Sequence, residues 1–113
     1  MITRRSFTIG LALLSVPGLA QAQQIRRRTM QRMFRSLSYN QRTRIQQKLT
    51  AAGVYNLGID GLYGPGTEGG LIRGASFLNK KANAVIVNLY SRQGVANYYR
   101  DILQGDFDRY IYR

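Results

Sequence analysis

The sequence predicts a small all-α domain, and three observations support that fold class. Apolar residues recur at helical spacing in three stretches, within residues 30–37, 45–52 and 95–103. Serines that can cap a helix and glycines that can end one flank the last two stretches. The 113 residues are 44% hydrophobic and 19% charged, which is typical of a globular chain with room for one small core.

Residues 1–22 have the order of a secretory signal peptide. Arg4 and Arg5 give a positive start, residues 9–16 form an apolar run, and small residues lead to Ala22. The apolar run is far shorter than the roughly 20 residues that span a bilayer. We therefore expect export, cleavage after Ala22, and a periplasmic or secreted protein.

The arginine pair and the following Phe7 resemble the twin-arginine export signal of bacteria. The continuation Thr8-Ile9 departs from that signal, so the general secretory route remains open. Removal of residues 1–22 takes away two arginines and no acid, which leaves 15 basic and 5 acidic residues. The basic character therefore belongs to the remaining domain.

Residues 23–37 predict a basic amphipathic helix, with Met30, Met33, Phe34 and Leu37 on one face. Its arginines are Arg26, Arg27, Arg28, Arg32 and Arg35. The apolar face fits packing onto the domain or contact with a membrane surface, and the arginines can clamp phosphates or carboxylates. Since an exported protein meets little nucleic acid, we do not expect a nucleic-acid partner.

The next helix is predicted to begin near Gln41, capped by Ser38 or Asn40, and to end at Gly53 in a left-handed conformation. A glycine-rich loop follows, with Gly58, Gly61, Gly64 and Gly66. These glycines indicate positive φ or close approach at several points. Asp60 precedes Gly61 as a turn former, and we interpret it as structural rather than catalytic.

Pro65 suits the first position of a second helix, and Glu68 in its first turn suits the helix dipole. This helix is expected to run toward Asn79, with a break at Lys80-Lys81. The first turns of this helix contain the last residues of a sequence motif that also includes positions in the preceding helix and in the loop. This run of motif residues consists of Ile45, Gln46, Leu49, Gly53, Tyr55, Asp60, Gly61, Tyr63, Gly64, Thr67 and Leu71.

This run resembles the peptidoglycan-binding-like domain, a small three-helix module of cell-wall hydrolases and other envelope proteins. The resemblance covers residues 45–71. Two places depart from the family pattern: Arg42 stands where the family has an apolar residue, and residues 70–75 lack the family's closing aromatic and glutamine. The resemblance implies a three-helix domain within residues 38–113, with an extra N-terminal amphipathic helix and one or two C-terminal helices.

The implied function is non-catalytic binding of peptidoglycan through its stem peptide, which carries free carboxylates and short side chains. Tyr63 offers a flat face and a hydroxyl, the start of the second helix offers N–H groups, and Arg73 adds charge. Tyr63 could instead be a partly buried aromatic that closes the loop. The candidate ligand residues are Tyr63, Thr67 and Arg73, and the candidate loop residues are Asp60, Gly61 and Gly64.

The C-terminal third predicts one long helix, from a cap at Ser91 through Gln104 to Gly105. Residues 84–89 are apolar and β-branched, so a short extended piece competes there with a helix. A last short turn is expected after Asp106. Five tyrosines can fill the core or, as a second interpretation, stack on sugar rings: Tyr90, Tyr98, Tyr99, Tyr110 and Tyr112.

The chain contains neither cysteine nor histidine, which excludes thiolate and imidazole metal sites and the usual general base. The five acidic residues are scattered. We therefore expect no enzyme activity, no cofactor and no metal. The alternative function is an envelope scaffold that uses the same fold for protein contact and its basic helix for anionic lipid or lipopolysaccharide.

Overall fold

The computed structural model describes residues 26–112, which form a helical bundle without strands. Helix α1 covers residues 26–35, and the other helices are α2 (Tyr39–Ala51), α3 (Pro65–Ala82), α4 (Arg92–Gln104) and α5 (Asp108–Ile111). The predicted all-α class is confirmed. The signal peptide expected in residues 1–22 and the first residues of the basic arm lie outside the described residues.

A capping box fixes the start of α2. The Ser38 hydroxyl accepts from the Gln41 backbone N–H at 3.1 Å, and the Gln41 side chain accepts from the Ser38 N–H at 2.9 Å. The cap is therefore Ser38 rather than Asn40, and the helix begins two residues before the predicted start. Gly53 ends the helix at φ +79°, as predicted.

The core lies where α1, α2, α3 and α4 meet. Met30 and Phe34 of α1 are fully buried, so the apolar face of α1 packs onto the domain. The Phe34 ring lies 6.0 Å from that of Tyr99, in an edge-on arrangement. The Tyr99 hydroxyl donates to the Met30 carbonyl at 2.8 Å, which joins α4 to α1. Contact between this apolar face and a membrane is thereby excluded in the folded protein.

Two glycines let neighbouring elements approach α3 closely. A Cβ on Gly74 would lie 2.6 Å from the Tyr98 hydroxyl, and one on Gly70 would lie 3.1 Å from the Tyr55 ring. The Tyr98 hydroxyl donates to the Leu71 carbonyl at 2.7 Å. The segment that departs from the family pattern is therefore shaped for close packing of α3 against α4 and the loop.

The predicted break at Lys80-Lys81 is wrong, because α3 continues to Ala82. Lysines favour the last turn of a helix, where they face its negative end, and Asn83 ends the helix in the left-handed conformation at φ 54°. Residues 84–88 then form neither helix nor strand. The two alternatives left open for residues 84–89 are thus replaced by an irregular segment.

The C-terminal predictions are confirmed by the boundaries of α4 and α5. The Ser91 hydroxyl caps α4 by accepting from the Gly94 N–H at 2.9 Å, and Gly105 ends it at φ +86°. Tyr98 and Tyr99 are buried in the core, whereas Tyr90 and Tyr112 are exposed. Within residues 26–112, no helix combines the length and the apolar character that crossing a bilayer requires.

Candidate functional site

Gln46 lies at the centre of the loop between α2 and α3. Its side chain is fully buried, and its amide oxygen accepts from the Gly61 N–H at 2.8 Å. Its amide nitrogen faces four oxygens at 3.1 to 3.4 Å. These belong to the Tyr55 hydroxyl, the Asp60 carboxylate, the Leu62 carbonyl and the Thr67 hydroxyl. One helical side chain therefore contacts four positions of the loop and Thr67 in the first turn of α3.

The surroundings of Gln46 determine the orientation of its amide. The Thr67 hydroxyl donates to the Leu62 carbonyl at 2.9 Å, and the Tyr55 hydroxyl donates to the Gly58 carbonyl at 2.6 Å. Both hydroxyl oxygens are then left as acceptors, so the amide nitrogen must point toward them. The reverse orientation would set the amide nitrogen against the Gly61 N–H, which is also a donor.

Asp60 shapes the turn, as the sequence predicted. Its carboxylate accepts from the Leu62 N–H at 2.9 Å and from the Gln46 amide at 3.2 Å. These bonds, the one to Leu62 first, favour the charged form and lower the pKa of the Asp60 carboxyl below its ordinary value. Asp60 is therefore a structural acceptor within the loop.

The prediction about the loop glycines holds at two of four positions. Gly61 adopts φ +74°, and a Cβ there would lie 2.8 Å from the Tyr39 ring. Gly66 lies directly against the Leu57 side chain. Gly58 and Gly64 have open space around them and no positive φ, so the expected backbone demand is absent at both.

An open cleft of about 280 Å³ lies on the outer side of this loop. We call it the loop cleft; its lining includes Leu57, Asp60, Leu62, Tyr63 and Gly64. Leu57 and Leu62 are each more than half exposed, although leucine usually lies inside a fold. The loop therefore presents apolar side chains to solvent beside a cleft.

A second cleft of about 240 Å³ adjoins the first and is lined by Tyr63 and Gly64 from the loop. We call it the basic cleft; its other lining residues are Arg27, Arg28, Gln31, Pro65 and Glu68. Tyr63 and Gly64 line both clefts. A cleft edged by exposed leucines and a cleft lined by arginines thus meet at the entrance to α3.

Tyr63 combines the two interpretations that the sequence left open. Its half-buried ring packs 5.5 Å from the Phe34 ring, while its hydroxyl donates to the Glu68 carboxylate at 3.2 Å. Burial, followed by the negative charge of Glu68, raises the pKa of the Tyr63 hydroxyl. The hydroxyl therefore stays protonated and available as a donor at the junction of the clefts.

Thr67 lies beneath the loop rather than on its surface. Its side chain is 3% exposed, and its hydroxyl is used by Gln46 and the Leu62 carbonyl. A ligand in the loop cleft could reach this hydroxyl only by displacing those bonds. Thr67 thus closes the loop through its hydroxyl and also lines the loop cleft, so its ligand role stays a prediction.

Arg73 lies apart from both clefts. Its guanidinium donates twice to the Val54 carbonyl, at 2.9 and 3.1 Å, and so ties α3 to the chain just after α2. The three predicted ligand residues are therefore brought together only in part: Tyr63 and Thr67 both line the loop cleft, whereas Arg73 lines neither cleft.

The predicted basic surface divides into three parts. Arg26 is half-buried and stacks over the Tyr90 ring at 5.2 Å. Arg27 pairs with Glu68 at 3.8 Å beside the basic cleft. Arg28, Arg32 and Arg35 are exposed on the outer side of α1.

Sequence reasoning missed the roles of Gln46 and Arg42. Gln46 belongs to the run of residues that carries the resemblance. Its position next to the apolar Ile45 was the sequence feature that could have indicated a buried polar side chain. Arg42 departs from the family pattern, yet its guanidinium donates to the Leu37 and Gly61 carbonyls. Arg42 thus joins the end of α1 to the loop, which an apolar residue could not do.

Among residues 26–112, no three acidic side chains converge on a point where a metal ion could bind. Compared with known proteins, the chain matches no protein-family model, no curated protein and no solved structure. The resemblance to the peptidoglycan-binding-like domain therefore rests on the residues themselves and stays a prediction.

Proposed function

We propose that this protein is an exported, non-catalytic module that binds peptidoglycan in the bacterial envelope through its stem peptide. The observation that carries the proposal is the meeting of the loop cleft and the basic cleft at Tyr63 and Gly64. A peptide with short apolar side chains and free carboxylates needs both kinds of surface within a few residues. The run of residues that resembles the peptidoglycan-binding-like domain supports the same ligand.

The apolar part of the ligand is assigned to the loop cleft. Leu62 is 65% exposed at its edge, while the backbone of Leu62 is held by Asp60 and Gln46. Because the loop is already fixed, covering this leucine with a ligand methyl group requires little further ordering of the protein. The side chain of Leu62 is therefore a contact that can be removed without disturbing the fold.

The carboxylate is assigned to the basic cleft. There Arg27 and the Tyr63 hydroxyl already face one carboxylate, that of Glu68, at 3.8 and 3.2 Å. A ligand carboxylate would compete with Glu68 for the same two donors. The ion pair between Arg27 and Glu68 is partly exposed, so its net contribution to stability is small. Replacing the Glu68 carboxylate by a ligand carboxylate therefore requires little free energy.

Retention on purified sacculi at moderate salt tests the proposal. Moderate salt weakens the nonspecific attraction of a basic protein to an acidic polymer. We expect Leu62→Ser to lower retention several-fold, because it removes an apolar contact. Val85→Ser is the matched control, since Val85 is 81% exposed outside both clefts. Equal retention of the two variants would reject the loop cleft as the binding surface.

Glu68→Gln tests the carboxylate assignment separately. Removing the competing charge should strengthen binding of a soluble muropeptide by roughly two- to fivefold, as expected for release of a partly exposed ion pair. Titration with chemical-shift mapping gives the affinity and should show Tyr63 and Gly64 responding together. Weaker binding by Glu68→Gln would assign Glu68 to the ligand instead.

A further inference from the structure

The outer side of α1 carries a row of like charges formed by Arg28, Arg32 and Arg35, which we call the arginine row. All three are exposed, and their spacing of four and three residues places them on one helical face. The row spans about 10 Å at the rise of an α-helix. Together with Gln31 these arginines line a shallow surface cleft of about 260 Å³.

No acidic side chain balances the arginine row. The five acidic residues of the chain all lie in the described part, and residues 1–25 contain none. Glu68, Asp101 and Asp108 pair with other basic residues, and Asp60 is held within the loop. Within residues 26–112, no acidic side chain lies within 4.0 Å of the row. Like charges at such spacing destabilise a helix slightly, and an external anionic partner would relieve that repulsion.

The opposite side of α1 limits how that partner can bind. Met30 and Phe34 are 0% exposed, and the Met30 carbonyl is bonded to Tyr99. Inserting this face into a bilayer would dismantle the core. Any membrane contact through α1 must therefore be electrostatic and peripheral.

We propose that the arginine row docks the folded protein onto an anionic lipid surface by binding headgroup phosphates. Guanidinium groups pair well with phosphate, and a cluster of cations near an anionic surface is attracted cumulatively. The three arginines stand side by side rather than converging on one point. That arrangement suits several phosphates displayed on one surface better than a single phosphate in solution.

A nucleic acid fits the row less well than a lipid surface. Proteins that bind single strands place aromatic side chains beside their basic groups so that bases can stack. The cleft along the row is lined by three arginines and Gln31, without an aromatic residue. The row therefore offers charge and no stacking platform.

The arginine row adjoins the basic cleft, because Arg28 and Gln31 line both. Arg32 and Arg35 line the row and not the basic cleft. Substitutions at these two positions therefore separate lipid docking from peptide binding. They also leave the core intact, since both side chains are exposed.

Vesicle flotation of the purified protein at physiological ionic strength tests the proposal. Vesicles of phosphatidylcholine alone are compared with vesicles that also contain phosphatidylglycerol. The double variant Arg32→Gln/Arg35→Gln should partition roughly 30-fold less onto the anionic vesicles, since each arginine near such a surface contributes about 1 kcal/mol. Binding of the unaltered protein should require phosphatidylglycerol.

The matched control is Arg44→Gln/Arg92→Gln, which removes the same charge from two exposed positions outside α1. We expect it to lose much less binding. Equal losses in both double variants would overturn the proposal in favour of overall charge. Equal binding to neutral vesicles, or tighter binding to single-stranded DNA than to the anionic vesicles at the same phosphate concentration, would also overturn it. Circular dichroism of each variant verifies that its fold is unchanged.

Discussion

The two long connections between helices, residues 52–64 and 83–91, are each held by one amide side chain of the preceding helix. Gln46 of α2 holds the first connection, and Asn79 of α3 holds the second. In both, the amide oxygen accepts a backbone N–H while the amide nitrogen donates to an oxygen. The same chemical device thus organises two loops of different character.

The side chains of Gln46 and Asn79 differ in burial and in their hydrogen-bond partners. Gln46 is fully buried and binds side chains as well as backbone, whereas Asn79 is half-buried and binds only the backbone of Ile86 and Val87. The first loop is therefore held by Gln46 together with the buried Tyr55, while Leu57 and Leu62 remain exposed around a cleft. The second is positioned so that Val87 and Leu89 reach the core. A loop can display leucines outward when a buried amide already determines its shape.

The largest expected effect comes from Gln46→Leu. The substitution keeps the volume similar but removes the partner of the buried Gly61 N–H and of the oxygens around it. We expect a loss of about 3 kcal/mol or more in the free energy of unfolding, since each unpaired buried group costs about 1–3 kcal/mol. Urea denaturation measures it. Gln47→Leu, at an exposed neighbouring position, should change the value by less than about 0.5 kcal/mol.

If Gln46→Leu lowers the free energy of unfolding no more than Gln47→Leu does, the loop holds its shape without the buried amide. The contrast between the two connections would then be wrong. The expected loss should also be accompanied by faster hydrogen exchange at the Gly61 amide. This amide is protected by Gln46 alone among the hydrogen-bond partners of the described chain.

The next effect concerns the backbone at Gly61. A side chain there is strained by the φ of +74° and would lie 2.8 Å from the Tyr39 ring. Tyr39 is exposed and can move, so Gly61→Ala should cost about 1–2 kcal/mol, mainly from the left-handed conformation. Gly58→Ala is the control, with open space and no positive φ. It should be neutral or slightly stabilising, because it restricts the unfolded chain.

The order of these effects reflects which features can be read from sequence. The caps at Ser38 and Ser91 and the terminators Gly53 and Gly105 act over three or four residues, so local spacing predicts them. Gln46 reaches partners 14 to 21 residues away. No local period encodes such contacts, and the resemblance marked Gln46 without giving its role.

The positions of the candidate site residues also depend on contacts between segments that are distant in sequence. The resemblance and side-chain chemistry grouped Tyr63, Thr67 and Arg73 as ligand residues, but Arg73 lies two turns along α3 and bonds to Val54. The basic cleft forms only where α1 meets the loop, so it depends on packing between distant segments. The end of α3 was missed because two lysines are compatible with a last helical turn and do not mark a break.

Asn79→Ala probes the second connection and should cost about 1 kcal/mol. Two N–H groups and the Val87 carbonyl lose their bonds to the side chain, but the segment is close to water. Alanine's higher helix propensity offsets part of the loss. Asn97→Ala in α4 is the control, because the Asn97 side chain bonds only to Gln93 on its own helix. If Asn79→Ala lowers the free energy of unfolding as much as Gln46→Leu does, the difference in burial between the two amide side chains has no effect on their contribution to stability.

The smallest expected effect is that of Asp60→Asn on the pH dependence of stability. It separates the contribution of the Asp60 charge from that of its hydrogen bonds in the first connection. The folded protein lowers the pKa of Asp60 from its ordinary value of 3.8, so this carboxylate contributes stability at neutral pH. That contribution is present above the unfolded pKa and is lost as the pH falls from about 3.8 through the lower folded pKa. Asp60→Asn keeps an oxygen acceptor for Leu62 and Gln46 but has no charge to titrate.

Denaturation midpoints measured from neutral pH down to below the ordinary aspartate pKa should therefore fall less steeply for Asp60→Asn than for the unaltered protein. Asp106→Asn is the matched control, since its carboxylate makes no hydrogen bond or ion pair within the described chain. It should keep the unaltered slope. If Asp60→Asn instead follows that slope, the Asp60 carboxylate acts only as an oxygen acceptor, and the buried amide of Gln46 carries the loop without help from charge.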